Sequence, residues 1–552
     1  MNTTGGRQLA AALKAHGIEQ VYGIPGTHNL EIFAGLHSEG IRVITPRHEQ
    51  GGGYAADGSA RVSGKPSVLI TTTGPAALNA AAAMLQAHSD SVPVLLISPG
   101  VPVRHPGLGN GLLHEVRSQS GVFDSIVESS VRVTSPGEIP QAVAYAFATM
   151  TTGRNKPVYL EIPLDVIEED GPHTPVQPVS ADVRLPLDEA ALDSAAAALE
   201  AAKKPLLIAG GGSRGAGRAT AQLAEALGAP IVETTAGMGV LESPNRIGAI
   251  GGLAAFHTLL GESDALIAVG TELAPSEFWD PGMRLPETVV RIDIDQRAMI
   301  TNAAPSHQLL ARAEEAVAGL VDRLTGQPAE GELWSQPLTQ EIEAERSEWH
   351  KPFKALTEAL NIHRQTIDGS LTLVGDSSMS CYYGLQLGVR LREGDRYLYP
   401  AGGGTLGYSL PAGIGAKFGR PSDEVIAVAG DGGAMFTIQE LMAAVEHRLA
   451  VSFIIIDNGG YGEIAREMLE RGDAPTAVAL GRPDFVALAN ALGMQAQKVT
   501  DASQLATGLA EAREAQAPRL FVMDEHSPTA EYLVNNPQFG KSKPSARPVH
   551  ME

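Results

Sequence analysis

Two hydrophobic patterns alternate along this chain. The first is the short apolar run closed by Gly or Pro, as in PSVLITTTGP (66–75) and VPVLLISPG (92–100). Such runs predict strands buried on both faces, the mark of a parallel sheet. The second is helical: RQLAAALKAHG (7–17) reads as a helix that stops at Gly17, and QVYGIPG then reads as a short strand and turn. KPVYLEIPLDV (156–166) closes this first block.

The pattern then breaks. EEDGPHTPVQPVSADVRLP (168–186) is rich in Pro and poor in apolar residues, and reads as a linker. A second block opens with KKPLLIAGGGSRGAG, a strand followed by a Gly turn and a helix start, and continues through DALIAVGTEL and TVVRIDID. After a charged helical segment at 336–362, a third block carries the strands LTLVGDSS, EVIAVAGDGG, VSFIIIDNGG and RLFVMDE. The expected fold class is α/β, with three doubly wound parallel-sheet domains at 1–170, 187–330 and 355–530 and an extended tail at 531–552.

One stretch carries chemistry. In GDGGAMFTIQELMAAVEHRLAVSFIIIDNGG (430–460), Ile438, Leu441, Met442, Val445 and Leu449 fall on one face of a helix between two buried strands. A βαβ unit follows, with a right-handed crossover. Asp431 and Asn458 then lie past the carboxyl ends of two parallel strands, where open α/β sheets bind ligands. Gly430, Gly432 and Gly433 let backbone N–H groups approach an anion, and Asp and Asn oxygens are hard ligands that suit Mg²⁺. This combination predicts a diphosphate–metal site.

Composition narrows the class. The 552 residues carry a formal net charge of −22, and their Lys and Arg are scattered, which argues against nucleic-acid binding. The single cysteine, Cys381, rules out a disulfide framework or a Cys-based zinc site within the chain. No apolar run reaches membrane-span length, and the first residues lack a signal-peptide core, so a cytoplasmic protein is expected.

The spacing of GDG to Asn458 resembles the signature of thiamine-diphosphate enzymes, and the likeness extends over nearly the whole chain. It implies that Asp431, Asn458 and the Gly460 carbonyl hold Mg²⁺ against the cofactor diphosphate. GGGTLGYSLPAGIGA (402–416) resembles the family's cofactor cradle. There Leu406 would bend the cofactor and the Gly404 carbonyl would accept from its aminopyrimidine. RHEQGGGYAADGSARVSGKPSV (47–68) resembles the segment with the family's essential acid, Glu49. A carboxyl on the pyrimidine ring nitrogen prepares the cofactor to lose its reactive proton, and such a group is expected in a dry pocket with a raised pKa. The likeness also names the three domains, as pyrimidine-binding, middle nucleotide-binding-like and diphosphate-binding. It implies a homodimer or homotetramer with active sites at the dimer interface. Some relatives bind FAD in the middle domain; here FAD is not favoured, because a lone Gly-rich turn is weak evidence.

The expected substrate is a small 2-oxo acid. In GIPGTHNLEIF (23–33), Thr27 and His28 stand where decarboxylases and aldehyde lyases of the family carry polar residues. His114 and Gln119 in LLHEVRSQ (112–119) are further substrate candidates, whereas His88 is read as structural. Glu463 starts the helix expected over the cofactor, where a carboxylate relays a proton or pairs with a cationic substrate end. The resemblance implies 2-oxo acid decarboxylation by Glu49, His28 and Glu463, and is nearest to decarboxylases of 5-guanidino-2-oxopentanoate (2-oxoarginine). Acetolactate synthase-type carboligation is the alternative. A non-catalytic cofactor-binding protein is a third reading, against which Glu49, Asp431 and Asn458 stand together.

Overall fold

In the computed structural model, residues 2–105, 109–172, 175, 177–178, 186–279, 283–324 and 333–536 are described. Each apolar run named above forms a strand. They assemble into three six-stranded sheets, every pairing within them parallel. The first sheet orders its strands Arg42–Ile44, Gln20–Gly23, Ser67–Ile70, Val94–Gly100, Val158–Pro163 and Ser129–Arg132. The third orders Arg396–Leu398, Leu371–Val374, Glu424–Gly430, Val451–Asp457, Arg519–Asp524 and Gln495–Lys498. Counted along each domain, both read 2-1-3-4-6-5, so the first and third domains share one topology. The middle sheet reads 3-2-1-4-5-6, running from Arg246–Ala249 through Pro205–Ala209 and Ala265–Val269 to His307–Leu310. That is the dinucleotide-fold order.

The central strands are apolar on both faces because helices cover both. Val425, Ala427 and Ala429 enter one buried cluster, Ile426 and Val428 another. The helix Glu49–Ser63 of the first domain packs across the helix Ser409–Gly419 of the third. Small residues make this approach: a Cβ at Gly58 would collide with the Ala412 carbonyl, and one at Gly415 with the Ala55 carbonyl. Tyr408 crosses the same seam to donate to Asp57 at 2.5 Å, and Arg61 pairs with both Asp57 and Asp90.

Two expectations change. The start of the predicted linker is tied down, because Asp170–Pro172 pairs antiparallel with Asn2–Thr4; most of 173–185 lies outside the described residues. The predicted tail begins inside a helix, Pro528–Asn535, whose Leu533 packs with Ala465, Val478 and Ala479. Residues 537–552 lie outside the described part. Among the described residues no helix is long and apolar enough to cross a membrane.

Candidate active site

The expected βαβ unit forms, with one refinement. The helix begins at Asp431 itself, and a 3-10 turn at Ile438–Glu440 separates Asp431–Thr437 from Leu441–Glu446. Leu441 is buried, and Ile438, Val445 and Leu449 pack on the same core. Strand Glu424–Gly430 pairs with Val451–Asp457, so Asp431 and Asn458 emerge side by side from neighbouring strand ends. The Gly459 amide donates to Asp431 Oδ2 at 3.0 Å, closing one loop on the other.

Asp431 meets the requirement for a cation ligand. It is 5 % exposed, and its Oδ1 is buried with no hydrogen-bond partner. Burial, with the nearby Asp457 carboxylate, pushes its carboxyl up to about 7. A buried, half-orphaned carboxylate is costly unless a cation completes it. Asn458 is oriented by Glu525, which accepts from its Nδ2 at 3.0 Å, and Asn458 Oδ1 accepts from the Gly460 amide. Gly460 sits at φ +156, where a Cβ would collide with the Val478 carbonyl, so this position tolerates only glycine. Its carbonyl faces the Asp431–Gly432 turn, 3.6 Å from where a Gly432 Cβ would stand. Among the described residues no cluster of three or more His, Cys, Asp or Glu side chains could hold a metal. A cation here would have two side chains and a carbonyl to bind, a set that would suit Mg²⁺ completed by phosphate and water.

A pH dependence follows. The folded protein favours protonated Asp431, so this group supports the cation-free fold at low pH, and that support is lost as pH rises through about 7. Cation binding requires the carboxylate and releases the proton. Mg²⁺ affinity is therefore expected to fall as pH drops below about 7, about tenfold per unit well below it, as titration calorimetry at several pH values would measure.

The other candidates sit at the strand ends of the first sheet. Glu49 is the first residue of its helix, and Asn79 donates to its Oε2 at 3.0 Å. In the single chain Glu49 is only half buried, so the enclosed pocket expected for it is not formed by one chain alone. Thr27 is exposed at the start of a short 3-10 turn. His28 Nδ1 lies 3.1 Å from Thr73 Oγ1, and its ring stands edge-on to His114 with centroids 5.3 Å apart. Burial and the neighbouring His114 lower the His28 pKa, although Glu168 opposes them, so the ring is neutral near pH 7. The His114 Nδ1 is buried without a partner, and its backbone is left-handed at φ +62.

Two substrate candidates are already engaged. Gln119 is buried: its Oε1 accepts from the Gly74 amide at 2.6 Å, and its Nε2 donates to Ser98, Pro99 O and Tyr159. Its amide is spent on anchoring the Gly74 turn, which corrects its reading as a substrate contact. Glu463 is not a free carboxylate either. Arg466 reaches it at 2.6 and 3.2 Å and Tyr383 donates at 3.1 Å, while the Arg466 guanidinium lies over Trp349 and Tyr383.

In the cradle, Gly404 is left-handed at φ +58 with open space around it, and Leu406 is half buried. The loop is tied to the first domain: Asp90 accepts from the Ala401 and Gly402 amides, and Tyr54 meets Thr405 at 2.5 Å. Sequence reasoning missed Asp90 and Tyr54, and also Asp457, Arg482 and Glu525. Arg482 binds Asp457 through both oxygens at 2.8 to 3.0 Å, holding the strand end beside Asp431. The one available signal for Glu525 was its place at the end of RLFVMDE, two residues past the apolar run. In the middle domain, Gly210 and Gly212 pack on Gly270, so these glycines serve contact between strand ends.

Comparison with known proteins agrees with this geometry. Residues 3–122, 192–320 and 374–523 match the N-terminal TPP-binding, central and C-terminal TPP-binding domain models of thiamine pyrophosphate enzymes. A protein of Pseudomonas aeruginosa named a probable 2-ketoarginine decarboxylase is 37% identical over 91% of this chain and 90% of its own. A probable acetolactate synthase large subunit of Methanocaldococcus jannaschii is 29% identical over 99% and 96%. The isozyme 2 large subunit of Escherichia coli acetolactate synthase is 30% identical over 94% of each chain. With its three domain matches, its parallel sheets and a relative 37% identical over 91% of its length, the chain belongs to the thiamine pyrophosphate enzyme family.

Proposed function

We propose that this protein is a thiamine-diphosphate- and Mg²⁺-dependent decarboxylase of a 2-oxo acid, with 5-guanidino-2-oxopentanoate as its substrate. The observation that carries the reading is the 37% likeness to the protein named a probable 2-ketoarginine decarboxylase, against 29% and 30% to the two acetolactate synthase large subunits, the first of them named probable. The polar pair Thr27 and His28 supports it.

The cofactor, when bound, supplies an electron sink beside the 2-oxo carbon. Asp431, Asn458 and the Gly460 carbonyl would hold Mg²⁺, with the turn Gly430–Gly433 offering backbone amides to the diphosphate. Gly404 and Leu406 would seat the pyrimidine and the bend. Asn79 occupies Glu49 Oε2, which would leave Oε1 to hold or move the proton shared with the cofactor's pyrimidine. Thr73 steadies Nδ1 of the neutral His28, leaving Nε2 to face the substrate carboxylate and, by first taking up a proton from solvent, to deliver it after CO₂ leaves. Non-oxidative decarboxylation transfers no electrons to a second cofactor, so FAD is not favoured.

Glu49 and Asp431 are proposed to meet across the interface of a homodimer, alone or within a homotetramer. The half-exposed Glu49 supports this, as do Met435 and Phe436, each 48 % exposed beside Asp431. The reaction is placed in the cytoplasm, without a membrane or nucleic-acid partner.

A cationic substrate end has a surface prepared for it. A cavity of about 230 Å³ is lined by Trp279, Trp349, Tyr382, Tyr383 and Arg466. Glu463 and two of these rings already hold one guanidinium, that of Arg466, which a guanidino acid would displace or join. Glu463→Gln is then expected to raise KM for 2-oxoarginine about tenfold while leaving a neutral 2-oxo acid unaffected. Equal effects on both would reduce Glu463 to a clamp for Arg466. The alternative, carboligation, is tested with pyruvate: acetolactate as the main product would overturn the decarboxylase reading.

A further inference from the structure

Glu440 is a buried carboxylate that none of the steps above uses. It closes the 3-10 turn that follows the Asp431–Thr437 helix and is 2 % exposed. Its oxygens accept from the Arg47 amide at 2.9 and 3.1 Å and from the His48 amide at 2.9 Å. These are the two N–H groups immediately before Glu49. The Arg47 guanidinium itself turns away, to Glu446 and the Thr45 carbonyl. The first turn of the Glu49–Ser63 helix closes over the carboxylate, because a Cβ at Gly51 would stand 2.5 Å from Glu440 Oε1. Burial pushes the Glu440 carboxyl up to about 7 against the opposing pull of these amides and of Arg47.

A carboxylate at the entry of a helix satisfies orphan amides and complements the helix dipole. Either benefit could come from within the first domain; here it comes from the third. The backbone that aims Glu49 is therefore fixed by the segment leading out of the metal loop of the same chain.

We propose that Glu440 is a positioning residue for Glu49, holding the Arg47–His48 backbone so that the Glu49 carboxyl meets the pyrimidine. This rests on the reading of Glu49 given above. An ångström of misplacement in a reacting group costs up to about 10²-fold in rate, so a small shift of this backbone is felt in turnover.

The test uses the full-length protein and two variants. Glu440→Gln keeps the shape but turns an NH₂ toward an amide N–H. Gly51→Ala leaves Glu440 in place and pushes its carboxylate aside. In the cofactor-free protein, hydrogen exchange should show lost protection of the 47–48 amides in both. With thiamine diphosphate and Mg²⁺ added, kcat should fall about tenfold or more with KM within about twofold. NMR should show exchange of the cofactor's reactive C–H proton slowed by the same factor as kcat. The double variant should be no worse than the more damaging single one, because both act on one contact. Unchanged kcat and proton exchange, or a loss of kcat with the 47–48 amides still protected, would overturn the proposal. Failure is distinguishable from failure of the Glu49 assignment. Glu49→Gln retaining turnover refutes that assignment, whereas an inactive Glu49→Gln beside a fully active Glu440→Gln refutes only the role of Glu440.

Discussion

Glu49→Gln is expected to bind thiamine diphosphate and Mg²⁺ within about twofold of the parent protein yet lose about 10²- to 10⁴-fold in kcat, the range spanned by a single proton-transfer group. The asymmetry follows from where the residue sits. Glu49 opens a helix in the first domain, and Asn79 donates to its Oε2. The proposed metal ligands belong to the third domain and do not depend on it. The side-chain amide retains a similar shape and can still accept from Asn79, so cofactor occupancy survives while proton transfer does not. Calorimetry of cofactor binding beside steady-state turnover measures both halves. Near-normal turnover would remove Glu49 from the chemistry.

Asp431→Asn should produce two effects of opposite sign. Mg²⁺-dependent cofactor binding should weaken by about 100-fold or more, beyond what loss of an outer partner costs at a metal site. The cation-free protein should become more stable at pH 8, by an amount on the order of a few kcal/mol. The second effect arises because the folded protein holds this carboxyl up to about 7, with Asp457 close by and Oδ1 unpartnered. Removing the charge relieves that cost, and the gain should vanish as pH falls toward the usual carboxylate range. Thermal unfolding of the cation-free variant across pH 5 to 8 reads the second effect directly. A variant less stable than the parent at pH 8 would mean that the buried charge is compensated by something other than a cation. Glu525→Gln, which disturbs the orientation of Asn458 along with the Ser527 contact, should weaken Mg²⁺ by about tenfold.

What was readable in the sequence divides along physical lines. Strands apolar on both faces, such as VSFIIID and EVIAVAG, carry an unmistakable signal because burial on two sides demands it. Edge strands do not: Gln495–Lys498 is QAQK, mostly polar and partly exposed, and strands such as Ser129–Arg132 are equally quiet. Asp431 and Asn458 were legible because both sit at the ends of such runs. The residues that orient them were not. Arg482 and Glu525 reach Asp457 and Asn458 from distant parts of the chain, with no periodicity to announce them. Glu440 looked like one more helical position, and only the fold brings it to Arg47 and His48. Gln119 was misread for the converse reason: a polar residue in a site-bordering segment proved to be a buried anchor.

The most direct test of the central claim is the release of CO₂ and organic product from 2-oxoarginine, measured with and without added thiamine diphosphate and Mg²⁺. The account predicts one aldehyde per CO₂, only when both additions are present, and more slowly from pyruvate or from branched-chain and aromatic 2-oxo acids. Acetolactate from pyruvate as the dominant product, or CO₂ release indifferent to the cofactor, would contradict it.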